Sequence, residues 1–317
     1  MDKKIRIGVS SCLLGNPVRY DGGHQHDPFI SQTLGRFFEF VVVCPEAECG
    51  LGVPRETMRL VGDPQKPRLV TTKTCQDHTE RMSAWAQQRV TELKGEELCG
   101  FIFKSKSPSS GMQRVKVYPL ASGAPKRVGV GLFARVFMEH FSLLPVEDED
   151  RLHDVGLREN FIERIFACQR WRSIKNDTPT ANALISFHAR HKLQIMAHSI
   201  RHYQIMGRLV AQAKEKSLAS FFDEYEGLLM EALRLLPTVK KQANVLFHVL
   251  GYFKKQLSAA EKQELLEIID QYRDGSMPLS VPITLLNHYV RKYQQEYLAG
   301  QYYLHPHPLE RNLRNHA

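Results

Sequence analysis

The sequence predicts an α/β domain built on an open, mostly parallel Rossmann-like sheet, followed by an all-α helical second domain. Short apolar segments at residues 4–9, 37–43 and 99–103 each run into a polar loop, and helical stretches separate them. This alternation predicts parallel strands with helical connections. Beyond residue 157, helical periodicity recurs with almost no strand signal, which predicts the helical domain.

The acidic stretch 145–150 predicts an exposed boundary between the two domains. We therefore expect the α/β domain at residues 1–148, a linker at 149–158 and the helical domain at 159–317. A chain of 317 residues is long enough for each domain to bury its own core.

In the first domain, residues 37–43 are too rich in β-branched and aromatic side chains, and too short a run, for anything but a buried strand. Residues 59–70, broken by a Gly-Asp-Pro turn, predict a hairpin. Three further stretches complete the domain: a helix from Thr79 with its apolar stripe ending at Leu93, an alternating strand at 114–118 and a helix at 129–141.

Seven helical stripes follow in the second domain, and the capping-box spacing of Ser258 and Glu261 marks the start of one of them. The predicted helices cover 157–174, 180–195, 199–214, 217–236, 239–256, 259–270 and 282–297.

Composition narrows the class of protein. The chain is 43% hydrophobic, no apolar run approaches the ~20 residues of a membrane span, and its start leads directly into a strand, so we expect a cytoplasmic protein without a membrane partner. Six cysteines without regular spacing argue against a disulfide framework. The net charge is +9, and residues 160–317 hold 21 Lys and Arg against 14 Asp and Glu, so an anionic partner is expected there.

The ends of the three predicted parallel strands carry polar side chains. Cys12 follows the first strand, Cys44 and Glu46 follow the second, and a loop with Ser107 follows the third. Ligand crevices form at the carboxyl ends of strands in open α/β sheets. Three remote segments are therefore expected to build one site.

Basic and aromatic side chains interleave around residues 187–208, a pattern that suits phosphates and bases. The candidate RNA-binding residues are Arg190, His191, Lys192, Arg201 and His202. A solvated basic face with a few satisfied histidines explains the same pattern.

Four motifs taken together resemble the thiouracil desulfidase (TudS-like) family: 11–15 (SCLLG), 18–23 (VRYDGG), 43–46 (VCPE) and 106–111 (KSPSSG). The resemblance covers about residues 4–145, and the helical remainder resembles the YbgA-like domain that is often fused to such desulfidases. In that family, three cysteines hold a [4Fe-4S] cluster whose fourth iron has no protein ligand, and fused forms resemble enzymes acting on 4-thiouridine in tRNA.

The resemblance implies a role for each matching residue. Cys12, Cys44 and Ser110 stand at the cluster-ligand positions, and Glu46 and Ser107 at the catalytic positions. The implied substrate-binding residues are Arg19, Tyr20, Asp21 and Ser109. The implied reaction converts 4-thiouridine in tRNA to uridine and hydrosulfide without net electron transfer, with the basic helical domain gripping the RNA. Desulfuration of free thiouracil or thiouridine nucleotides is the alternative within the class.

Ser110 departs from the family pattern, which has cysteine there, and a hydroxyl is a poor substitute for thiolate on iron. Three explanations remain open. The preferred one is a deliberate replacement that traps an inactive or cluster-free form. The others are a natural variant, or a site in which Cys49 supplies the third thiolate. A non-catalytic RNA-binding protein with a decayed cluster site is the rival from another class.

Overall fold

The computed structural model describes residues 4–177, 179–213 and 217–315. The start of the chain before residue 4 and the end of the predicted helix at Lys214 lie outside the described residues. The chain divides into two compact units, of which the first ends at Gln169 and the second begins at Arg170. None of the helices in the described ranges has the length and apolar character needed to cross a membrane.

The first unit contains a four-stranded parallel sheet. Its strands are β1 (Ile5–Ser10), β2 (Phe38–Val43), β5 (Phe101–Phe103) and β8 (Val146–Asp148), arranged in the order β2-β1-β5-β8. All three pairings are parallel, and Ser10 at the end of β1 lies opposite Val43 at the end of β2. The predicted fold class, a parallel sheet followed by a helical region, is confirmed.

A second, mixed sheet accompanies the parallel one. It is formed by β3 (Met58–Asp63), β4 (Lys66–Thr71), β6 (Val115–Tyr118) and β7 (Lys126–Gly129), in the order β4-β3-β6-β7. The predicted hairpin is its antiparallel β3–β4 pair. β7 was not predicted, because its polar residues give no apolar alternation.

Helices connect and cover these sheets: α1 (Pro45–Glu48), α2 (Thr79–Leu93), α3 (Leu132–His140) and α4 (Glu149–Leu152). The predicted stripe of α2 is buried, with Met82, Ala86, Val90 and Leu93 inside. Aromatic rings from β5 and α3 pack against each other in the core, with Phe101 and Phe137 centroids 4.5 Å apart.

The prediction of an exposed acidic linker at residue 145 and beyond is wrong. Residues 146–148 form the buried strand β8, and the predicted linker 149–158 carries α4 and the start of α5 (Val155–Asp177). The carboxylates are buried because each has a partner: Glu149 accepts hydrogen bonds from the backbone and hydroxyl of Ser105 and from Lys104, and Glu147 accepts from Arg151. A buried carboxylate is tolerated when it is paired in this way.

Beyond α5, the second unit is helical throughout the described ranges. Its longer helices are α6 (Ala181–His198), α7 (Ile200–Ala211), α8 (Leu218–Arg234), α9 (Val239–Leu250), α10 (Ala259–Arg273) and α11 (Ser280–Lys292), followed by α12 (Glu296–Ala299) and α13 (Pro308–Asn315). Each predicted stripe overlaps one of the longer helices, although the stripes predicted at 239–256 and 282–297 extend past the ends of α9 and α11. The capping box of Ser258 and Glu261 is present.

Close packing between β1 and β5 depends on Gly8. It lies opposite Phe101 in the parallel register, and a Cβ at this position would fall inside the van der Waals radius of the Phe101 ring. Phe101 is fully buried, so its ring has no free space to enter. The two strands whose ends form the site are therefore held together at a position that requires glycine.

We expect Gly8→Ala to lower the free energy of unfolding of the first unit by about 1–3 kcal/mol, because the added methyl group overpacks the core. Urea denaturation followed by intrinsic fluorescence measures this effect. Gly95→Ala is the matched control, since nothing lies within 4 Å of a Cβ there. Equal stability of the two variants would contradict the packing described above.

Candidate active site

A cavity of about 660 Å³ opens where β1, β2 and β5 end. Cys12, in the turn after β1, and Cys44, directly after β2, both line it. The loop after β5 contributes Ser107 and Ser110 to the same cavity, and Glu46 lies on its wall. The structure therefore brings together the five residues predicted as ligands and catalytic groups.

The chain around Cys44 is shaped by a short helix. Pro45 occupies the first position of α1, where its missing N–H costs nothing, and it ends the strand. Glu48 in the first turn accepts the Cys44 N–H at 2.7 Å and pairs with Arg89 at 3.1 Å. These contacts fix the backbone that carries the thiol and the Glu46 carboxylate.

Burial perturbs both thiols in the cavity. Loss of solvent raises the pKa of Cys12 from its ordinary value of 9.0 to about 11, although nearby Lys104 opposes the change. Burial, followed by the negative charge of Glu46, raises the pKa of Cys44 to about 12. Both sulfurs are therefore protonated at neutral pH, and a metal that binds them must displace protons.

Glu46 is the best-positioned carboxylate in the cavity. Its Oε1 accepts hydrogen bonds from Ser109 Oγ at 2.5 Å and Ser107 Oγ at 3.4 Å. Its Oε2 lies 3.9 Å from an Arg55 guanidinium nitrogen and 3.9 Å from Cys44 Sγ. An oriented carboxylate next to a nucleophile or ligand can accept and return a proton.

The third ligand position is a buried hydroxyl. Ser110 is 3% exposed, its backbone N–H donates to Ser107 Oγ at 3.1 Å, and its Oγ lies 3.5 Å from Ser109 Oγ. Cys49 does not replace it. The Cys49 thiol donates to the backbone oxygen of Glu46 at 3.4 Å and packs with Leu60, outside the cavity lining.

Two thiols on one cavity fit the sulfur-donor chemistry of an iron–sulfur cluster, while the third position offers the weaker hydroxyl donor of Ser110. Within the described part of the chain, no group of three or more His, Cys, Asp or Glu side chains is placed to hold a metal ion. Cys12 and Cys44 are the two thiols among the described residues that line the cavity.

The predicted substrate-binding residues separate into two groups. Arg19 and Tyr20 line the cavity, with the guanidinium 5.6 Å from the ring centroid. Asp21 and Ser109 do not line it: Asp21 accepts the Gly23 N–H and shapes the loop, and Ser109 is fully buried beneath Glu46. Ser109 therefore acts on the carboxylate rather than on a molecule in the cavity.

In the helical unit, the structure contradicts the prediction of His191 as an RNA-binding residue. His191 is fully buried, its ring accepts a hydrogen bond from Arg170 Nε at 3.1 Å and stacks on Phe187. Burial, and then the Arg170 charge, lower its pKa well below the ordinary value. A buried, neutral imidazole provides no charge for RNA.

The other four predicted RNA-binding residues keep some exposure. Arg190 and Arg201 are exposed, and Lys192 and His202 are half-buried. The Arg190 guanidinium lies 4.5 Å from the Tyr302 ring centroid, and His202 Nε2 lies 3.5 Å from Glu231.

Two groups on the cavity wall, Arg55 and Lys104, received no role from the sequence. Arg55 donates to the Val18 and Gly52 carbonyls at 3.0 and 2.9 Å and so anchors the loop beside Glu46. Lys104 lies near Cys12 and is held by Glu149. Arg55 stands in a Gly/Pro loop whose charge is evident in the sequence. The partner of Lys104 was not evident, because the acidic composition around Glu149 predicts an exposed segment although Glu149 is buried.

Fold and cavity together define an α/β domain with a thiol-containing site at its strand ends. Residues 7–149 match the family model described as 2-thiouracil desulfurase, and residues 192–308 match the one described as Protein of unknown function (DUF1722). The chain belongs to these families: it is a TudS-like thiouracil desulfidase domain fused to a YbgA-like domain.

Two relatives and one solved structure share parts of the sequence. YbgA of Escherichia coli (strain K12) is 34% identical over 153 residues, which are 48% of this chain and 90% of that protein. YbbK of Bacillus subtilis (strain 168) is 31% identical over 110 residues, 33% of this chain and 72% of that protein. The structure of the [4Fe-4S]-dependent thiouracil desulfidase TudS is 28% identical, with a TM-score of 0.40, and covers 49% of this chain and 97% of its own.

In the metal-free protein, we expect alkylation of Cys12 and Cys44 by iodoacetamide to be slow at pH 7 and to keep rising tenfold per pH unit through pH 10. The reason is that the thiolate reacts and both pKa values lie above the ordinary 9.0. Peptide mass spectrometry measures each rate, with exposed Cys75 as the internal comparison.

Glu46→Gln should accelerate alkylation of both thiols at a given pH, because the Glu46 charge raises both pKa values. Rates in the unsubstituted protein that level off before pH 9, or no acceleration in the variant, would contradict this electrostatic description.

Proposed function

We propose that this chain removes sulfur from thiolated uracil by an iron–sulfur-dependent, non-redox reaction, and that its substrate is 4-thiouridine in tRNA. The observation that carries the proposal is the meeting of the Cys12 and Cys44 thiols, the Glu46 carboxylate and the hydroxyls of Ser107 and Ser110 on a single cavity. The family match supports a thiouracil desulfidase, and the basic character of the chain supports an RNA substrate.

Cys12 and Cys44 would hold a [4Fe-4S] cluster, with Ser110 as the third protein donor. When bound, the cluster would supply an open iron that takes the substrate sulfur as a soft ligand and polarises the C=S bond. The name of the TudS desulfidase assigns that cofactor to the similar protein.

The chain's own residues supply the proton transfers. Glu46 accepts a proton from water as the water oxygen bonds to the ring carbon that carries sulfur. The proton of the added hydroxyl then passes to sulfur, the C–S bond breaks, sulfur leaves as hydrosulfide and the carbonyl of uridine forms, so no electrons are gained or lost. Ser107, 3.4 Å from Glu46 Oε1, relays the proton or holds the uracil, and Ser109 keeps the carboxylate aimed at the cavity.

The cavity volume and its lining support a nucleotide-sized ligand. At about 660 Å³ it lies within the range of small-molecule sites, and the exposed Tyr20 ring at its mouth offers a stacking surface. The exposed cations of the helical unit, Arg190 and Arg201, are proposed to grip the tRNA.

Anaerobic reconstitution with iron and sulfide, followed by assays on thiolated tRNA and on 4-thiouridine monophosphate, tests this function. We expect uridine and hydrosulfide as products, and we expect iron retained per chain to fall in the order Ser110→Cys, unsubstituted protein, Ser110→Ala. The order follows from donor strength toward iron.

Activity on the mononucleotide alone would establish the free-substrate alternative. If neither the unsubstituted protein nor Ser110→Cys desulfurates any thiolated uracil, the enzymatic proposal is wrong and a non-catalytic protein remains.

Glu46→Gln should reduce the desulfuration rate by about 100-fold or more while leaving iron content unchanged, because the amide cannot accept the proton from water. Glu80→Gln removes an equal charge from the exposed first turn of α2 and serves as the control. A Glu46→Gln enzyme with normal turnover would remove Glu46 from the mechanism.

A further inference from the structure

A row of cations crosses the second sheet on one face. Lys116 of β6 lies directly opposite Arg127 of β7, and Leu60 lies opposite Val117, which places Arg59 of β3 beside Lys116. Arg114 immediately precedes β6. These four residues, Arg59, Arg114, Lys116 and Arg127, form what we call the basic strip.

Among the described residues, the four cations of the basic strip outnumber the acidic side chains that line the same cavity, Asp148 and Asp150. None of the four forms an ion pair with another described residue, while the neighbouring Lys106 pairs with Asp150 at 2.5 Å and Arg151 pairs with Glu147. Like charges directly opposite each other on paired strands are destabilising. An arrangement that repels itself in the free protein is favourable only when an anion lies across it.

The strip also offers a flat ring and an unused donor. The Arg59 guanidinium lies 5.2 Å from the centroid of the Tyr118 ring, and both residues are half-buried. Arg59 Nε is buried and has no hydrogen-bond partner among the described residues. Proteins that bind single-stranded nucleic acid combine cations for the phosphates with aromatic rings for the bases.

Two cationic residues of this region have strained backbones. Arg114 has a φ of 54° and Lys106 has a φ of 61°, in the left-handed region that side-chain-bearing residues rarely adopt. Glycine would be favoured at such positions on stability alone. A long cationic side chain at each suggests that placing charge there has a function.

The basic strip lines a second cavity, of about 680 Å³, which adjoins the first. The residues that line both cavities are Met58, Ser105, Lys106, Pro108 and Asp150. Ser107 and Ser110, which line the first cavity, belong to the same loop as Lys106 and Pro108. A polymer lying along the strip would therefore lead directly into the cavity that holds the thiols.

We propose that the basic strip binds the phosphodiester backbone of the RNA strand next to the thiolated uridine. This inference rests on the proposed function and places RNA contacts on the desulfidase unit itself, in addition to the helical unit. The cavity that the strip lines shares residues with the base-sized cavity, so a single strand with its target base turned into the cavity fits it.

The test uses full-length protein and a fluorescently labelled tRNA transcript in anisotropy titrations at several salt concentrations. The variant is Arg59→Gln/Lys116→Gln/Arg127→Gln. We expect at least about tenfold weaker binding near physiological salt and a log–log salt slope reduced by about 2, as loss of three single-strand phosphate contacts requires. Activity on 4-thiouridine monophosphate should be unchanged, which separates this inference from the proposed function.

The matched control is Lys66→Gln/Lys94→Gln/Lys126→Gln, which removes three exposed charges of the same unit that line neither cavity. Arg114→Gly is a second variant: it removes a strip charge and relieves the left-handed backbone, so it should weaken tRNA binding while the melting temperature holds or rises. Binding by the strip variant within twofold of the unsubstituted protein, or an equal loss in the control, would overturn the inference. So would absence of tRNA binding by the unsubstituted protein.

Discussion

The parallel pairing of β1 with its two neighbours is the constraint on which the site depends. Parallel strands end at the same edge of a sheet, and here the register places Ser10 opposite Val43. Cys12 and Cys44 therefore lie at neighbouring strand ends although 32 positions separate them in sequence. The glycine at position 8 permits the Phe101 ring to pack between β1 and β5, so the third strand end arrives at the same place.

Electrostatics at this edge disfavour free thiolates. Burial and the Glu46 charge keep both sulfurs protonated, so the metal-free site is chemically quiet. A bound cluster would neutralise the negative charge of the two thiolates, which burial otherwise disfavours, because metal binding and thiol deprotonation are coupled. Two serines and Arg55 hold the oxygens of Glu46, and this contact set is why we propose Glu46 for proton transfer rather than as a ligand.

Local patterns were enough to predict the parallel sheet, the helical second unit and the convergence of Cys12, Cys44 and Ser107. The apolar run before Pro45 and the stripe of α2 are local signals, and both elements form where the pattern indicates. The TudS-like resemblance, carried by four short motifs, agrees with the family match.

Interactions between remote residues decided the features that the pattern missed. The acidic stretch 147–149 is buried because Ser105 and Lys104 donate hydrogen bonds to Glu149 and Arg151 donates to Glu147. The periodicity of the sequence does not indicate these contacts. Helical spacing predicts which face of the helix carries His191. It does not predict that Phe187 and Arg170 cover this side chain. The exclusion of Cys49 from the cavity depends on packing with Leu60, a contact across the fold.

The most direct test of strand-end convergence is a crystal structure of the anaerobically reconstituted protein with anomalous scattering measured at the iron edge. Iron should bond to Cys12 Sγ and Cys44 Sγ, at the mouth of the cavity lined by Ser110. Iron bound elsewhere, for example at Cys49 with Cys12 left free, would contradict the assignment of this cavity as the cluster site.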